Sequence, residues 1–287
     1  MIEDISFGYD YDEESKVLIA RPLIQDYGLF STFCLLLSAT TACHAKCGTV
    51  PDEINFGNSL SKFNNKENPI DLYKFLFKID HSIEIPKEKE FHVGPDNHHT
   101  LYTEKTIKGL SPFFKRYFSL NEETLNVKKA LEAKYNIEDK NRLSVIYRAS
   151  DKWTDFGGFL NMGPGAYYRL AWDLWHKHQD SGIKLLIQTE DMGVADWFCR
   201  SLHGSFITET KIGETNSTTQ PIPSENKDVW LRNFVASLYI HAESKILVTY
   251  SGNSGYFSAL ARGTSKDLYQ EHSFTKNCKE FFFSDDT

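Results

Sequence analysis

The second half of the chain alternates short apolar runs with longer segments whose apolar positions recur at helical spacing. The apolar runs predict strands at residues 143–147, 184–188, 205–207 and 246–250. The longer segments predict helices at residues 164–178, 192–202 and 230–242, with a further helix beginning at 256–261. Strands that alternate with helices in this way are typical of a parallel sheet with crossover helices.

The first half of the chain has a less regular pattern. Residues 16–20 predict a short strand, and a loop through Gly28 leads to a buried helix at 31–46. Between residues 54 and 120 only two short helices are predicted, at 70–77 and 106–118. A chain of 287 residues is typical of one or two domains. The change in pattern predicts an N-terminal α/β domain at 1–135 and a C-terminal domain at 136–287.

The composition argues against some binding partners and favours one cellular compartment. Acidic residues outnumber basic residues by 39 to 32, and no Lys/Arg block could follow a phosphate backbone, so no nucleic-acid partner is expected. Five scattered cysteines favour reduced thiols and a cytoplasmic location. The acidic N-terminus is unlike a secretory signal, and the most apolar stretch, 30–37, is too short for a transmembrane segment.

Polar loops follow three of the predicted strands. In a parallel sheet these loops lie at the carboxyl edge, where open α/β folds bind ligands, so we expect them to converge on one crevice. The three loops are Arg148-Ala149-Ser150-Asp151-Lys152, Thr189-Glu190-Asp191 and Ser251-Gly252-Asn253-Ser254-Gly255. The alternative is that each is an ordinary solvated loop.

The residue types in these loops suit a phosphorylated nucleotide. The turn at 251–255 carries hydroxyls, an amide and glycines just before a helix N-terminus, whose N–H groups and dipole favour phosphate. Arg148 adds a planar cation whose fork of donors matches phosphate oxygens. The sequence therefore predicts a phosphate site formed by Arg148 and the 251–255 turn.

The segment after Arg148 carries candidate acid–base groups. Asp155 lies between Trp153 and Phe156 with glycines behind it, a composition that suits a sugar ring and its hydroxyl. The alternative is that the two aromatic rings cover the core. Asp151 and Asp155 are both candidate general bases, and the sequence does not separate them.

Other motifs carry less weight. Asp10-Tyr11-Asp12 has the spacing of a metal-binding DxD motif, but it precedes the first predicted strand instead of ending one. Cys43, His44 and Cys47 lie on the buried helix without a second half to complete a zinc site, so no metal is expected. The absence of GxGxxG, GxxxxGK[ST] and GxSxG motifs argues against a dinucleotide dehydrogenase, a P-loop enzyme and an α/β-hydrolase.

Three segments, in order, resemble the motifs of the GDP-fucose-dependent fucosyltransferase superfamily, which includes α1,6-, α1,2- and protein O-fucosyltransferases and the nodulation fucosyltransferase. Residues 145–152 resemble the first motif, approximately His-x-Arg-Arg-x-Asp-Lys at a strand end, and 185–191 resemble the second, a strand ending in Thr-Asp-Asp. Residues 238–254 resemble the third, a helix and strand leading into a Ser-rich loop. Gly28 and Ser31 resemble the family's glycine-rich turn before the first helix.

The resemblance implies a GT-B fold, with two Rossmann-like domains facing across a cleft, and inverting transfer without a metal or other cofactor. Arg148 would contact the donor β-phosphate, and Ser251 and Ser254 would be the hydroxyls of the third motif. The sequence departs from the family pattern at three positions. Ile146 and Ala149 replace the first motif's His and second Arg, and Ala236 stands where the family has its guanine-reading Asp.

The sequence therefore predicts a glycosyltransferase that moves a sugar, with GDP-fucose as the expected donor, onto a glycan hydroxyl. Asp151 or Asp155 would take the acceptor proton, Lys152 would orient the acceptor, and Arg148 would stabilise the leaving diphosphate. The remaining donor-site residues would be Thr189, Glu190, Asp191, Ser251, Gly252, Asn253, Ser254, Gly255, Gly28 and Ser31. The alternatives are a transferase for another nucleotide sugar and a non-catalytic module that binds a nucleotide or glycan.

Overall fold

The computed structural model describes residues 1–21, 28–56, 71–87, 100–148, 163–210, 227–271 and 281–283. The chain divides into two compact units. Unit 1 comprises Met1–His98 and Lys105–Leu125, and unit 2 comprises His99–Glu104 and Asn126–Thr287. No helix among the described residues is long and apolar enough to cross a membrane.

The elements of both units follow in chain order. The strands are β1 (Ile2–Ser6), β2 (Tyr9–Asp12), β3 (Val17–Ala20), β4 (Glu53–Asn55), β5 (Phe77–Lys78), β6 (Ser119–Leu120), β7 (Arg142–Ile146), β8 (Lys184–Gln188), β9 (Ser205–Phe206), β10 (Ile246–Tyr250), β11 (Leu268–Glu271) and β12 (Phe281–Phe283). The helices are α1 (Leu29–Cys47), α2 (Leu72–Leu76), α3 (Glu104–Tyr117), α4 (Glu122–Tyr135), α5 (Pro164–His178), α6 (Met192–Leu202), α7 (Lys227–Ala242) and α8 (Asn253–Arg262).

Unit 1 contains a four-stranded sheet in the order β1-β2-β3-β4. β1 to β3 are antiparallel neighbours, and only β4 is parallel to its neighbour β3. The described strands of unit 1 therefore do not form the parallel Rossmann-like sheet expected there. α1 is apolar on nearly all sides and buried along most of its length, and it ends at Gly48, whose φ of 72° suits the left-handed C-cap.

The hairpin of β1 and β2 corrects one prediction. Asp10 and Asp12 do not precede the first strand but lie within β2. Asp10 accepts hydrogen bonds from the backbone of Asp4 and the side chain of Arg21, and Asp12 accepts from Ser15. Their carboxylates thus help to hold the hairpin and its neighbouring turn.

Unit 2 contains a six-stranded sheet in the order β12-β11-β10-β7-β8-β9. The five strands from β11 to β9 are parallel, and β12 pairs antiparallel with β11. Counted from β7, the spatial order is 3-2-1-4-5-6, the order of doubly wound nucleotide-binding sheets. The chain leaves β7 toward β8 on one side and returns to β10 on the other, so the topological switch point lies between β7 and β10.

The cores of these elements explain why the pattern of the second half was informative. β7 and β10 are buried at every position, as is expected for central strands of a parallel sheet covered on both faces. Pro164 occupies the first turn of α5, and Asp191 caps α6 by accepting from the N–H groups of Gly193 and Val194 at 2.9 and 3.1 Å. Predicted α/β architecture is confirmed for this unit.

The amino edge of the unit 2 sheet holds a buried cation. Arg142, at the start of β7, is completely buried, and its guanidinium donates to the carbonyl oxygens of Ile137 and Ile240. It also donates to Ser244 Oγ at 3.2 Å and lies 3.6 Å from a carboxylate oxygen of Glu132. These bonds tie β7 to α4 and to the end of α7.

Further charges extend this amino-edge network. Lys128 is buried on α4 and contacts Glu132 at 3.2 Å and Glu243 at 3.0 Å, and Glu243 also contacts Lys140. His241 is fully buried on α7, and neither ring nitrogen has a hydrogen-bond partner within the described part of the chain. Burial, and then the charge of Arg142, lower the pKa of His241 to about 3.

Candidate functional site

The carboxyl edge of the unit 2 sheet brings together the ends of β7, β8 and β10. Register pairs Ile146 of β7 with Gln188 of β8, and Val145 of β7 with Val248 of β10. Arg148 follows β7 at the switch point, and the 251–255 turn follows the neighbouring strand β10. Two of the three loops predicted to converge are therefore adjacent, and the third follows the strand on the other side of β7.

The turn between β10 and α8 depends on two glycines. A Cβ on Gly252 would lie 2.5 Å from Cε2 of Tyr250, and one on Gly255 would lie 2.1 Å from the carbonyl oxygen of Tyr250. Only glycine at 255 lets the first turn of α8 approach β10 this closely. Thr249 Oγ1, buried beneath Gly255, has no hydrogen-bond partner among the described residues.

Tyr102 holds the turn from the segment 99–104 of the same unit. Its phenol oxygen accepts from the N–H of Gly252 at 3.1 Å and lies 3.3 Å from the carbonyl oxygens of Tyr250 and Gly252. The first turn of α8 contains no acidic residue. Because first-turn N–H groups have no acceptor within their own helix, this end of α8 favours an anion.

A chain of hydrogen bonds joins Arg148 to the turn. The side chain of Arg148 bonds to the phenol of Tyr250, and the same phenol bonds to Ser254 Oγ. Burial raises the pKa of Tyr250, while the charge of Arg148 and both hydrogen bonds oppose that rise. The two functional groups at the switch point are therefore linked through one buried phenol.

Only part of the direction of this chain follows from donor chemistry. Arginine has no acceptor, so the Tyr250 oxygen accepts from Arg148. Between the Tyr250 phenol and Ser254 Oγ either oxygen can donate, and with Tyr250 as the donor the proton of Ser254 is directed to an acceptor beyond Tyr250. In that arrangement Ser254 presents a donor at the N-terminus of α8.

Ser251 has a different role in the structure. Its hydroxyl donates to the backbone carbonyl of Glu271 at 2.8 Å and accepts from Gln270 Nε2 at 2.8 Å. The Ser251 N–H also donates to the Glu271 carbonyl at 2.9 Å. These bonds fasten the turn to β11 and use the hydroxyl proton of Ser251, so Ser254 is the better placed of the two serines to donate to a ligand.

The loop after β8 contributes a carboxylate. Thr189 is buried and its hydroxyl accepts from the N–H of Asp191 at 3.1 Å, and Asp191 in turn caps α6. Glu190 lies between them, is partly exposed, and acts electrostatically on Tyr147 and Tyr250. Glu190 therefore shares the carboxyl edge with Arg148.

Sequence reasoning missed a buried carboxylate at the end of β11. Glu271 is almost fully buried and accepts from the phenol of Tyr167 on α5. Burial raises the pKa of Tyr167 and of Tyr147, and the charge of Glu271 adds to both shifts. β11 itself was not predicted because its four residues, Leu-Tyr-Gln-Glu, contain no apolar run. The one feature that could have indicated Glu271 is its polar side chain at a strand end, as at the ends of β7, β8 and β10.

Five of the predicted site residues are not shown at this edge by the described part of the chain. Asp151, Lys152 and Asp155 lie outside the described residues. Gly28 and Ser31 belong to unit 1, where the Gly28 carbonyl accepts from the N–H of Thr32 at 3.0 Å at the start of α1. Their proposed contact with a nucleotide stays a prediction.

No group of three or more His, Cys, Asp or Glu side chains is placed to hold a metal ion within the described ranges. Cys43 and His44 are buried on α1, and burial raises the pKa of the Cys43 thiol, as is typical of a core cysteine. The chemistry of the carboxyl edge follows from its donors. The Arg148 guanidinium and the first-turn N–H groups of α8 are groups of the kind that bind an anion.

No protein-family model matches the chain, and a search of curated proteins gives no significant match.

Proposed function

We propose that the protein is a nucleotide-sugar-dependent glycosyltransferase, with GDP-fucose as the expected donor and a glycan hydroxyl as the acceptor. The observation that carries the proposal is the hydrogen-bonded chain from Arg148 through Tyr250 to Ser254 at the switch point of a 3-2-1-4-5-6 sheet. Open α/β sheets bind nucleotides at this point. The order of the three motifs supports the narrower assignment to a fucosyltransferase-like enzyme of the GT-B type.

The donor diphosphate would lie between Arg148 and the N-terminus of α8. As the bond from the anomeric carbon to the phosphate oxygen breaks, negative charge grows on the diphosphate and positive charge on the sugar ring. Arg148, the Ser254 hydroxyl and the first-turn N–H groups then bind the leaving group more strongly than they bind the intact donor. This difference lowers the barrier without a covalent intermediate.

The acceptor hydroxyl would attack the opposite face of the anomeric carbon, with inversion. Asp151 or Asp155 is proposed to accept the hydroxyl proton, and Lys152 to orient the acceptor. These roles rest on the sequence motifs. The tests therefore begin with the donor, because Arg148, Tyr250 and Ser254 of its proposed site lie among the described residues.

A thermal-shift screen against GDP, UDP, dTDP and their sugar conjugates identifies the donor. A nucleotide at about 100 times its dissociation constant stabilises the folded state by about 2.7 kcal/mol if it does not bind the unfolded chain. We expect GDP and GDP-fucose to give the largest increase in Tm. A larger increase with UDP or dTDP would indicate a transferase for another nucleotide sugar, and no increase with any nucleotide would contradict the proposal.

Replacement of Arg148 separates catalysis from binding alone. We expect Arg148→Ala to lower sugar transfer about 100-fold, because loss of one preorganised donor costs roughly 3 kcal/mol in the transition state. Arg169→Ala, an exposed arginine on α5, is the matched control and should keep full turnover. Near wild-type turnover by Arg148→Ala would remove this residue from the mechanism. Tight nucleotide binding with neither donor hydrolysis nor transfer would favour a non-catalytic binding module.

A further inference from the structure

We infer that Tyr102 is a positioning residue for the donor diphosphate, because its phenol holds the N-cap of α8 without using the N–H groups that would bind the phosphate. The inference rests on the proposed function and deepens it. Tyr102 lies 150 residues before Gly252 in the sequence, and none of the segments that resemble the fucosyltransferase motifs includes it.

The N-cap of α8 is a residue without a side chain. Gly252 therefore makes no side-chain hydrogen bond to the first turn of the helix. A Cβ at this position would lie 2.5 Å from Cε2 of Tyr250, so the usual capping residues Ser, Thr, Asp and Asn do not fit without a shift of the ring. The start of α8 consequently depends on another part of the chain to fix Gly252.

Tyr102 supplies that contact through both backbone groups of Gly252. Its phenol oxygen accepts from the Gly252 N–H at 3.1 Å, and its proton is directed to the carbonyl oxygens of Tyr250 and Gly252, each at 3.3 Å. The Gly252 carbonyl also accepts from the Tyr256 N–H at 2.8 Å, the first bond of the α-helical ladder. Tyr102 thus fixes the peptide groups from which α8 starts.

This cap differs from the cap of α6. At α6, the Asp191 carboxylate accepts from two first-turn N–H groups at 2.9 and 3.1 Å, so the chain itself uses these donors. At α8, the phenol of Tyr102 bonds to the N-cap residue, whereas the N–H groups of Ser254 and Gly255 have no acceptor within the helix. A phenol that donates to carbonyls also adds no negative charge that would repel a phosphate.

A buried amide holds Tyr102 in its place. The side-chain oxygen of Gln270 on β11 accepts from the Tyr102 N–H at 2.8 Å. Its Nε2 donates to the Thr100 carbonyl at 2.9 Å and to Ser251 Oγ at 2.8 Å. One side chain therefore anchors both the segment 99–104 and the 251–255 turn on the same strand, which keeps the phenol aligned with Gly252.

The direction of the first-turn N–H groups matters most as negative charge grows on the leaving diphosphate. A donor that is tilted away from the phosphate oxygen binds it less strongly. Loss of the Tyr102 hydroxyl should therefore weaken nucleotide binding, whereas loss of a similar buried hydroxyl elsewhere should lower stability alone.

The test compares Tyr102→Phe with the matched control Tyr117→Phe. Tyr117 is buried in unit 1 and its phenol donates to the Pro51 carbonyl at 2.7 Å, so each variant loses one buried phenol hydroxyl and keeps its ring. We expect both variants to fold, with Tm lower by about 2–4 °C. Titration calorimetry with GDP, UDP and dTDP should show about tenfold weaker binding of the preferred nucleotide by Tyr102→Phe alone.

A spectroscopic measurement separates positioning from a general loss of stability. In protein labelled with ¹⁵N-glycine, the saturating nucleotide should shift the Gly255 amide resonance of wild type more than that of Gly193, whose N–H already donates to Asp191. The Gly255 shift should be smaller in Tyr102→Phe, because the first turn of α8 is no longer held in the same direction. Tyr117→Phe should give the wild-type shift.

The outcomes separate this inference from the proposed function. Weaker binding by Tyr102→Phe alone, together with a smaller Gly255 shift, supports the positioning role. Equal affinities of wild type and Tyr102→Phe, equal weakening by both variants, or a Gly255 shift that does not depend on Tyr102 overturns that role while nucleotide binding itself stands. Failure of Tyr102→Phe to fold would assign the hydroxyl to stability and overturns the role as well. If wild type binds none of the three nucleotides, the proposed function fails and this inference fails with it.

Discussion

The two ends of β7 carry the same residue type in opposite circumstances. Arg142, at the amino end, is completely buried, and its guanidinium is held by backbone carbonyls of Ile137 and Ile240. Arg148, just past the carboxyl end, is partly exposed and bonds to the phenol of Tyr250. One arginine is enclosed by its own fold, whereas the other lies where a ligand can reach it.

This comparison shows why residue type alone does not identify a functional site. A guanidinium enclosed by carbonyls and a carboxylate has its donors used within the chain, so it stabilises the fold. A guanidinium at the carboxyl edge, beside a helix N-terminus, adds local positive charge that favours an anion, next to the carboxylates of Glu190 and Glu271 at the same edge. Four experiments test this division between the two edges of the sheet.

The largest effect should come from the amino edge. Arg142→Met should lower the free energy of unfolding by about 3–5 kcal/mol, because it leaves two buried carbonyls without their donor and Glu132 with Lys128 as its remaining ion-pair partner. Urea denaturation followed by circular dichroism measures the change. The same substitution at Arg148 should cost under about 1 kcal/mol, as expected for a partly exposed residue. Equal losses at the two positions would remove the distinction.

Gly255→Ala should be the most damaging change at the carboxyl edge. Its Cβ would overlap the backbone carbonyl of Tyr250, so we expect a loss of about 3 kcal/mol, at the upper end of the range for overpacking. The matched control is Gly165→Ala on α5, where a Cβ meets no atom within 4 Å and a small gain of about 0.4–1 kcal/mol is expected. Thermal unfolding of both variants tests whether the close approach of α8 to β10 is required.

The amino edge should also give a pH dependence. His241 has a pKa of about 3 in the folded protein, below the value of about 6.5 expected in the unfolded chain. The unfolded state therefore binds more protons in this window, and stability is complete above pH 6.5 and falls as the pH is lowered toward 3. From pH 7.5 to pH 5, wild type should lose about 2 kcal/mol more than His241→Leu. Parallel pH profiles for the two proteins would contradict this assignment.

The smallest effect should separate the two serines of the turn. Ser251→Ala and Ser254→Ala should each lower stability by about 1 kcal/mol, because each removes a buried hydrogen bond. Only Ser254→Ala should also weaken nucleotide binding, by about tenfold. Titration calorimetry beside urea denaturation distinguishes the two effects. A greater loss of affinity in Ser251→Ala would reverse the roles assigned to the two hydroxyls.

The sequence was most informative where one physical rule dominates. α5, α6, β8 and β10 have the predicted bounds, because buried central strands and crossover helices produce strong apolar patterns. The hairpin of β1 and β2 was missed because both strands are short and β1 does not alternate, although Tyr9 and Tyr11 of β2 alternate with Asp10 and Asp12. α4, β11 and β12 were missed as well.

Only part of the candidate site could be predicted from the sequence, for a similar reason. Sequence order placed Arg148 and the 251–255 turn at one sheet edge, because that follows from parallel topology alone. It could not show that Tyr250 joins them, that Ser251 is used by β11, or that Glu271 and Tyr167 meet nearby. Those contacts depend on strand neighbours and side-chain directions, which a linear pattern does not encode.

The fastening of the 251–255 turn has a kinetic consequence. Tyr102 holds the turn at Gly252, and Ser251 fixes it to β11, so the turn is held by contacts of the chain itself, without a ligand. A preorganised loop forfeits little conformational entropy on association. The amides of Ser251 and Gly252, which donate to Glu271 and Tyr102, should accordingly exchange slowly with deuterated solvent without ligand, and binding of the proposed nucleotide should follow a single fast phase without a slow rearrangement.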